Sequence, residues 1–137
     1  MILQRIIVVM LLSLPVTGIS AQEGPVTVKV TDLDGVTTLV RRATTSSSSS
    51  TGAPGFPVLA EGSRKDIRFS ELDWISVLHG EPTSNDQAYI RVELTFRDGR
   101  AEEVEMIKHI RFTGQSEQGD FSLKVMEIST VQVIHEI

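Results

Sequence analysis

The chain has 137 residues, 13 of them basic and 18 acidic, for a formal charge of −5, and it contains no cysteine. That length suits one domain, and an acidic surface repels phosphate backbones, which argues against a nucleic-acid partner. Without cysteine the chain can form neither disulfides nor a lipid anchor on an N-terminal thiol.

Residues 1–21 read as a cleavable signal peptide. Arg5 is the only charge; an apolar run from Ile6 to Leu14 follows, broken only by Ser13; then come Pro15 and the small or polar stretch from Val16 to Ala21. This is the order of an export signal, with cleavage expected after Ser20 or Ala21. The apolar run is far shorter than the ~20 residues a spanning helix needs, so no transmembrane segment is expected after cleavage. Cleavage removes one basic residue and no acid, taking the charge from −5 to −6. An exported, cysteine-free domain without a glycosylation sequon fits a periplasmic or secreted protein of a bacterium.

Residues 22–137 are expected to form a single β domain. Val26, Val28 and Val30 alternate with Thr27, Lys29 and Thr31, the period of a half-buried strand. Asp34-Gly35 is a hairpin signal, because both residues tolerate positive φ, and Val36 to Val40 reads as the return strand. Residues 43–56, with five consecutive serines (Ser46 to Ser50), cannot bury enough apolar surface to offset chain entropy and read as a flexible Ser-rich loop. Strands are predicted at Pro57–Leu59, Ile67–Phe69 and Ile75–Leu78, with a turn at Glu71–Asp73 and a polar loop at Gly80–Asp86. The clearest strand follows: Ala88, Ile90, Val92, Leu94 and Phe96 face one way, Tyr89, Arg91, Glu93, Thr95 and Arg97 the other. Asp98-Gly99 predicts a second hairpin, returning through Val104 and Met106 towards Ile110 and Phe112. A helix over Ala101–Ile110 fits the apolar spacing equally well; the preceding turn favours a strand. Gly114–Asp120 reads as a loop, and Phe121–Val125 and Val131–Ile137 as the last strands.

Two stretches resemble each other. I-R-F-S-E-L-D-W-I-S-V-L-H at 67–79 and L-K-V-M-E-I-S-T-V-Q-V-I-H at 123–135 share Glu71/Glu127, His79/His135 and six apolar positions, including Ile75/Val131. Val26 to Val40 aligns with Ile90 to Val104 through Asp34-Gly35 and Asp98-Gly99. The offset is 56 residues in the first match and 64 in the second. Duplication and the generic likeness of alternating strands both account for this; the shared order ending in histidine is the more specific signal. The expected fold is all-β: an antiparallel sandwich or barrel of about eight strands, with two duplicated four-strand halves as its candidate organisation.

No nucleophile elbow, phosphate loop or metal-ligand spacing occurs, and no cofactor is expected. The basic pairs Arg41-Arg42 and Arg64-Lys65 are too short to make a strong patch. Trp74, the only tryptophan, is a candidate ligand anchor, with packing at a turn as the commoner role. His79 and His135 are candidate ligand-binding residues that form one site only if the two strand ends meet. An outer-membrane barrel is disfavoured, because most strands are short and aromatics make up 5% of the chain. The expected function is a non-enzymatic exported domain binding a protein, a cell-envelope component or a small ligand. The rival is a small exported hydrolase or metal-dependent enzyme using His79 and His135.

Overall fold

A computed structural model describes residues 25–47 and 52–135. The expected signal peptide and the centre of the serine tract lie outside the described residues. Ten strands run through them: β1 (Thr27–Asp32), β2 (Thr37–Ser46), β3 (Gly55–Ala60), β4 (Ser63–Arg68), β5 (Leu72–Leu78), β6 (Tyr89–Phe96), β7 (Ala101–Ile107), β8 (Arg111–Ser116), β9 (Gly119–Lys124) and β10 (Ile128–Ile134). They form one antiparallel sheet in the order β9-β8-β2-β1-β10-β5-β6-β7-β3-β4, curled into a half-barrel with almost no helix. Among the described residues no helix is long and apolar enough to cross a membrane.

The hairpins follow from side-chain chemistry. Asp32 accepts hydrogen bonds from the Asp34 and Val36 amides at 2.9 and 3.0 Å, which bends the chain so that Gly35 can take φ 84°. Asp98 accepts from the Arg100 amide at 3.0 Å, beside Gly99 at φ 94°. β1 pairs with β2 through Val28↔Val40 and Thr31↔Thr37; β6 pairs with β7 through Val92↔Val104 and Thr95↔Ala101. The outer hairpins also match in register, Gly55↔Arg68 to Ala60↔Ser63 in one and Arg111↔Lys124 to Ser116↔Gly119 in the other. At the centre β5 meets β10, with Ile75 opposite Val131.

The inner face is apolar. Ile75 and Val131 are fully buried, and the wings of the sheet curl towards each other until Phe56 of β3 and Phe112 of β8 lie 6.1 Å apart. Phe69 completes the cluster at 5.9 and 6.0 Å from those rings. It sits in one of two 3₁₀ turns, Phe69–Glu71 and Val125–Glu127. In each turn a glutamate reaches back to a backbone amide, Glu71 to Arg68 at 3.2 Å and Glu127 to Lys124 at 3.0 Å.

Ten strands replace the expected eight, for local reasons. Residues 104–112 are two strands: β7 stops at Ile107, and Lys108-His109 turns the chain without glycine or proline. Gly114–Asp120 is mostly strand, with Glu117-Gln118 as the turn between β8 and β9. Glu61-Gly62 makes a tight hairpin between β3 and β4. The segment 43–56 is strand at both ends: Ala43–Ser46 finish β2, Gly55 and Phe56 open β3, and the buried Thr45 hydroxyl donates to the Gly55 carbonyl. Residues 101–107 form a strand rather than a helix.

Gly55 is needed for space rather than for φ. A Cβ there would lie 1.9 Å from the Ile67 carbonyl oxygen on the paired strand. Gly62, at φ +82°, has open space around it. Gly55→Ala is therefore expected to cost about 3 kcal/mol through overpacking of backbone against backbone. Gly62→Ala should cost only about 1 kcal/mol, the left-handed penalty. Urea unfolding of both variants checks the order.

Candidate functional site

The outer face of the sheet carries the side chains that the core leaves out. Trp74 is on this face in β5, between two buried residues, Leu72 and Ile75, because a bulge shifts the register after Leu72. It is 41% exposed, so it is a strand residue facing solvent and not the turn residue expected. The ladder gives it a line of neighbours, with Thr95 opposite it on β6 and Gln132 opposite it on β10. Gln132 in turn faces Lys29, and Lys29 faces Leu39. Neighbouring strands lie about 4.8 Å apart, so Lys29 is about 10 Å from Trp74 in this direction. An indole flanked by a hydroxyl, an amide and an ammonium can stack on one surface of a ligand and bond to its rim.

The two wings of this face differ in charge. On the β1–β2 side Lys29, Arg41 and Arg42 are exposed, and none of the ion pairs found among the described residues involves them. On the β6–β7 side stand Glu93, Glu103 and Glu105, with Arg91 bridging Glu103 at 3.8 Å and Glu105 at 3.5 Å. In the sequence Arg41-Arg42 is only a short basic pair. Hairpin pairing brings Lys29 beside them, a neighbourhood that follows from the outward phase of both strands.

The two histidines do not converge. Each lies four residues beyond the paired Ile75 and Val131 on antiparallel strands. That puts them about 26 Å apart at roughly 3.3 Å per residue. Each closes a bulge at its own end. His79 Nε2 donates to the Ile128 carbonyl at 2.7 Å, and His135 Nε2 donates to the Leu72 carbonyl at 2.7 Å. A carbonyl only accepts, so both rings carry a proton on Nε2. His135 Nε2 also lies 3.2 Å from Asp73 Oδ1. Among the described residues no group of three or more histidine, aspartate or glutamate side chains could hold a metal ion.

A shallow cleft of about 380 Å³ runs beside His79, over Glu81, Asp86, Tyr89 and Lys108. Its rim is the loop predicted at Gly80–Asp86, tied down on several sides. The Thr83 hydroxyl and amide both donate to Asp86 Oδ1 at 2.8 Å. The Lys108 ammonium donates to the Asp86 carbonyl at 2.8 Å, and Ser84 donates twice to Glu105. The Thr83 donors hold the Asp86 carboxyl below the ordinary carboxylate range, with Lys108 adding to them.

Compared with known proteins, the chain matches no family model and no curated sequence.

If each histidine serves its own bulge, His79→Ala and His135→Ala should each lose about 1 kcal/mol, the net worth of one hydrogen bond. The double variant should lose the sum to within about 0.5 kcal/mol, as distant independent sites do. A larger coupling in a urea double-mutant cycle would mean that the two rings act as one unit.

Thr83→Val removes the hydroxyl donor, so the Asp86 pKa should rise towards 3.8, its ordinary value. A depressed folded pKa stabilises the loop above the unfolded value, and that support is lost as pH falls through the folded one. The variant loop should therefore loosen at a higher pH than the wild-type loop during acidification. An NMR titration of the Asp86 carboxyl carbon and of the Thr83 amide checks both statements.

Proposed function

We propose that this chain is a non-enzymatic, exported binding domain whose convex sheet face takes a component of the cell envelope. The observation that carries the reading is Trp74, exposed near the middle of that face with Thr95 and Gln132 directly across from it. The histidines of the rival enzymatic reading are each bonded to a backbone carbonyl and lie at opposite ends of the β5–β10 pair. Export rests on residues 1–21 alone.

Duplication belongs to the same proposal, with the repeating unit enlarged from four strands to five. Three features support it. A shift of five strands turns the sheet order into its own reverse. The histidine bonds from 79 to 128 and from 135 to 72 exchange under the 56-residue offset. The bulges after Leu72 and Ile128 fall at the same place in the β5–β6 and β10–β1 ladders. On this reading each β1–β2-type hairpin pairs with strands of the other copy, so neither copy completes its sheet alone.

Because Trp74 is the sole tryptophan, its fluorescence reports the face directly. Titration with purified cell-wall polysaccharide should shift and saturate its emission. Trp74→Ala should weaken binding about tenfold by calorimetry, equivalent to about 1.4 kcal/mol. Unchanged affinity in that variant would refute the face as the binding site.

A further inference from the structure

We infer that the ligand of this face is a linear polyanion, an acidic polysaccharide, that crosses from Trp74 onto the β1–β2 wing and is held there by Lys29, Arg41 and Arg42. The inference rests on the reading of Trp74 above and adds the ligand's charge and shape.

A regular strand turns alternate residues outwards. In β2 Val40 and Ala43 are buried while both residues between them, Arg41 and Arg42, are exposed. A bulge does this: the pairing jumps from Arg41↔Gln115 to Thr44↔Thr113, and Arg42 takes φ 54°, a conformation that an arginine rarely adopts. The opposing strand is shaped to the same bend. Gly114 lies so close that a Cβ there would fall 2.6 Å from the Arg41 carbonyl oxygen and 2.5 Å from Val40 Cγ1. Two consecutive arginines are thus both turned to the surface at the expense of local backbone strain. Lys29, diagonal to Arg41 across the β1–β2 ladder, is about 7–8 Å away. Three cations without an ion-pair partner among the described residues, in a chain of net charge −5, form a local attraction for negative charge.

The other wing decides the ligand's shape. Glu93, Glu103 and Glu105 occupy the corresponding part of the β6–β7 face. A flat anionic bilayer laid against the convex face would meet this carboxylate group as well as the cations. A linear polymer can follow the cationic wing alone. The overall acidity weighs against duplex nucleic acid, whose charge density is high along its whole length. Sugar rings suit the remaining features, an exposed indole for stacking and Gln132, Thr95 and Thr31 for hydroxyl bonding.

The test uses calorimetry on the full mature chain with polygalacturonate, neutral dextran, phosphatidylglycerol vesicles and duplex DNA. Polygalacturonate should bind, and its affinity should fall as salt rises. The triple variant Lys29→Gln/Arg41→Gln/Arg42→Gln should weaken it about tenfold or more with an unchanged urea midpoint. Arg42→Gly should raise the urea midpoint, by relieving the left-handed residue, and still weaken binding. Glu93→Gln should not weaken it. Dextran binding that needs Trp74 but ignores the triple variant would overturn the polyanion and leave the face standing. Polygalacturonate binding that ignores both Trp74 and the cations would overturn the inference and the face together. Vesicles or DNA binding more tightly than polygalacturonate, or no polygalacturonate binding, would overturn the polysaccharide.

Discussion

A sheet with one apolar face must cover that face, and here the described residues supply no helix layer to do it. The sheet covers it with itself. Curling brings β3 and β8, second from either edge, close enough for Phe56 and Phe112 to approach to 6.1 Å, and Phe69 closes the gap between the wings. The 3₁₀ turns are part of the same closure. The Phe69 amide donates to the Pro54 carbonyl at 3.1 Å and the Val125 amide to the Ile110 carbonyl at 2.9 Å, so each turn is stitched to the strand start it covers. The close backbone approach at Gly55 comes from the same crowding.

Closure also fixes what the histidines do. A strand that begins at a bulge leaves a carbonyl out of the ladder, and a partly buried carbonyl needs a donor. His79 and His135 provide one for Ile128 and Leu72, each from the end of the neighbouring strand. An imidazole suits this place because its ring reaches across the strand end and offers the carbonyl an N–H donor. Their matching sequence positions are thus explained by matching structural duties, with no chemistry shared between them.

Much of this was legible in the residues, and the remainder depended on pairing. Asp34-Gly35 and Asp98-Gly99 gave two hairpins, because their turn chemistry is local. The strand from Tyr89 to Phe96 followed from its own alternation. Lys108-His109 gave no signal: that turn is set by tertiary bonds, from the Lys108 amide to the Ala88 carbonyl and from the Met126 amide to the Lys108 carbonyl. Glu61 turns with φ 53°, where composition suggests no bend until Gly62. Trp74 looked like a turn residue because the 3₁₀ turn and bulge before it break the alternation. Lys29 joined Arg41 and Arg42 only through the register of the first hairpin, which the sequence leaves open to a residue or two.

The outer face is where matching registers carry different chemistry. Inside, the pairs Val28↔Val40 and Val92↔Val104 repeat an apolar theme, as any core-facing position must. Outside, the same ladder positions hold Lys29 in one hairpin and Glu93 in the other, Leu39 in one and Glu103 in the other. Burial constrains the inward residues, while nothing in the fold requires the outward ones to differ in sign. A ligand that touched both wings equally would favour equal wings. Opposite wings, with the tryptophan between them and a strained arginine on only one, suit a ligand that approaches the face from one side.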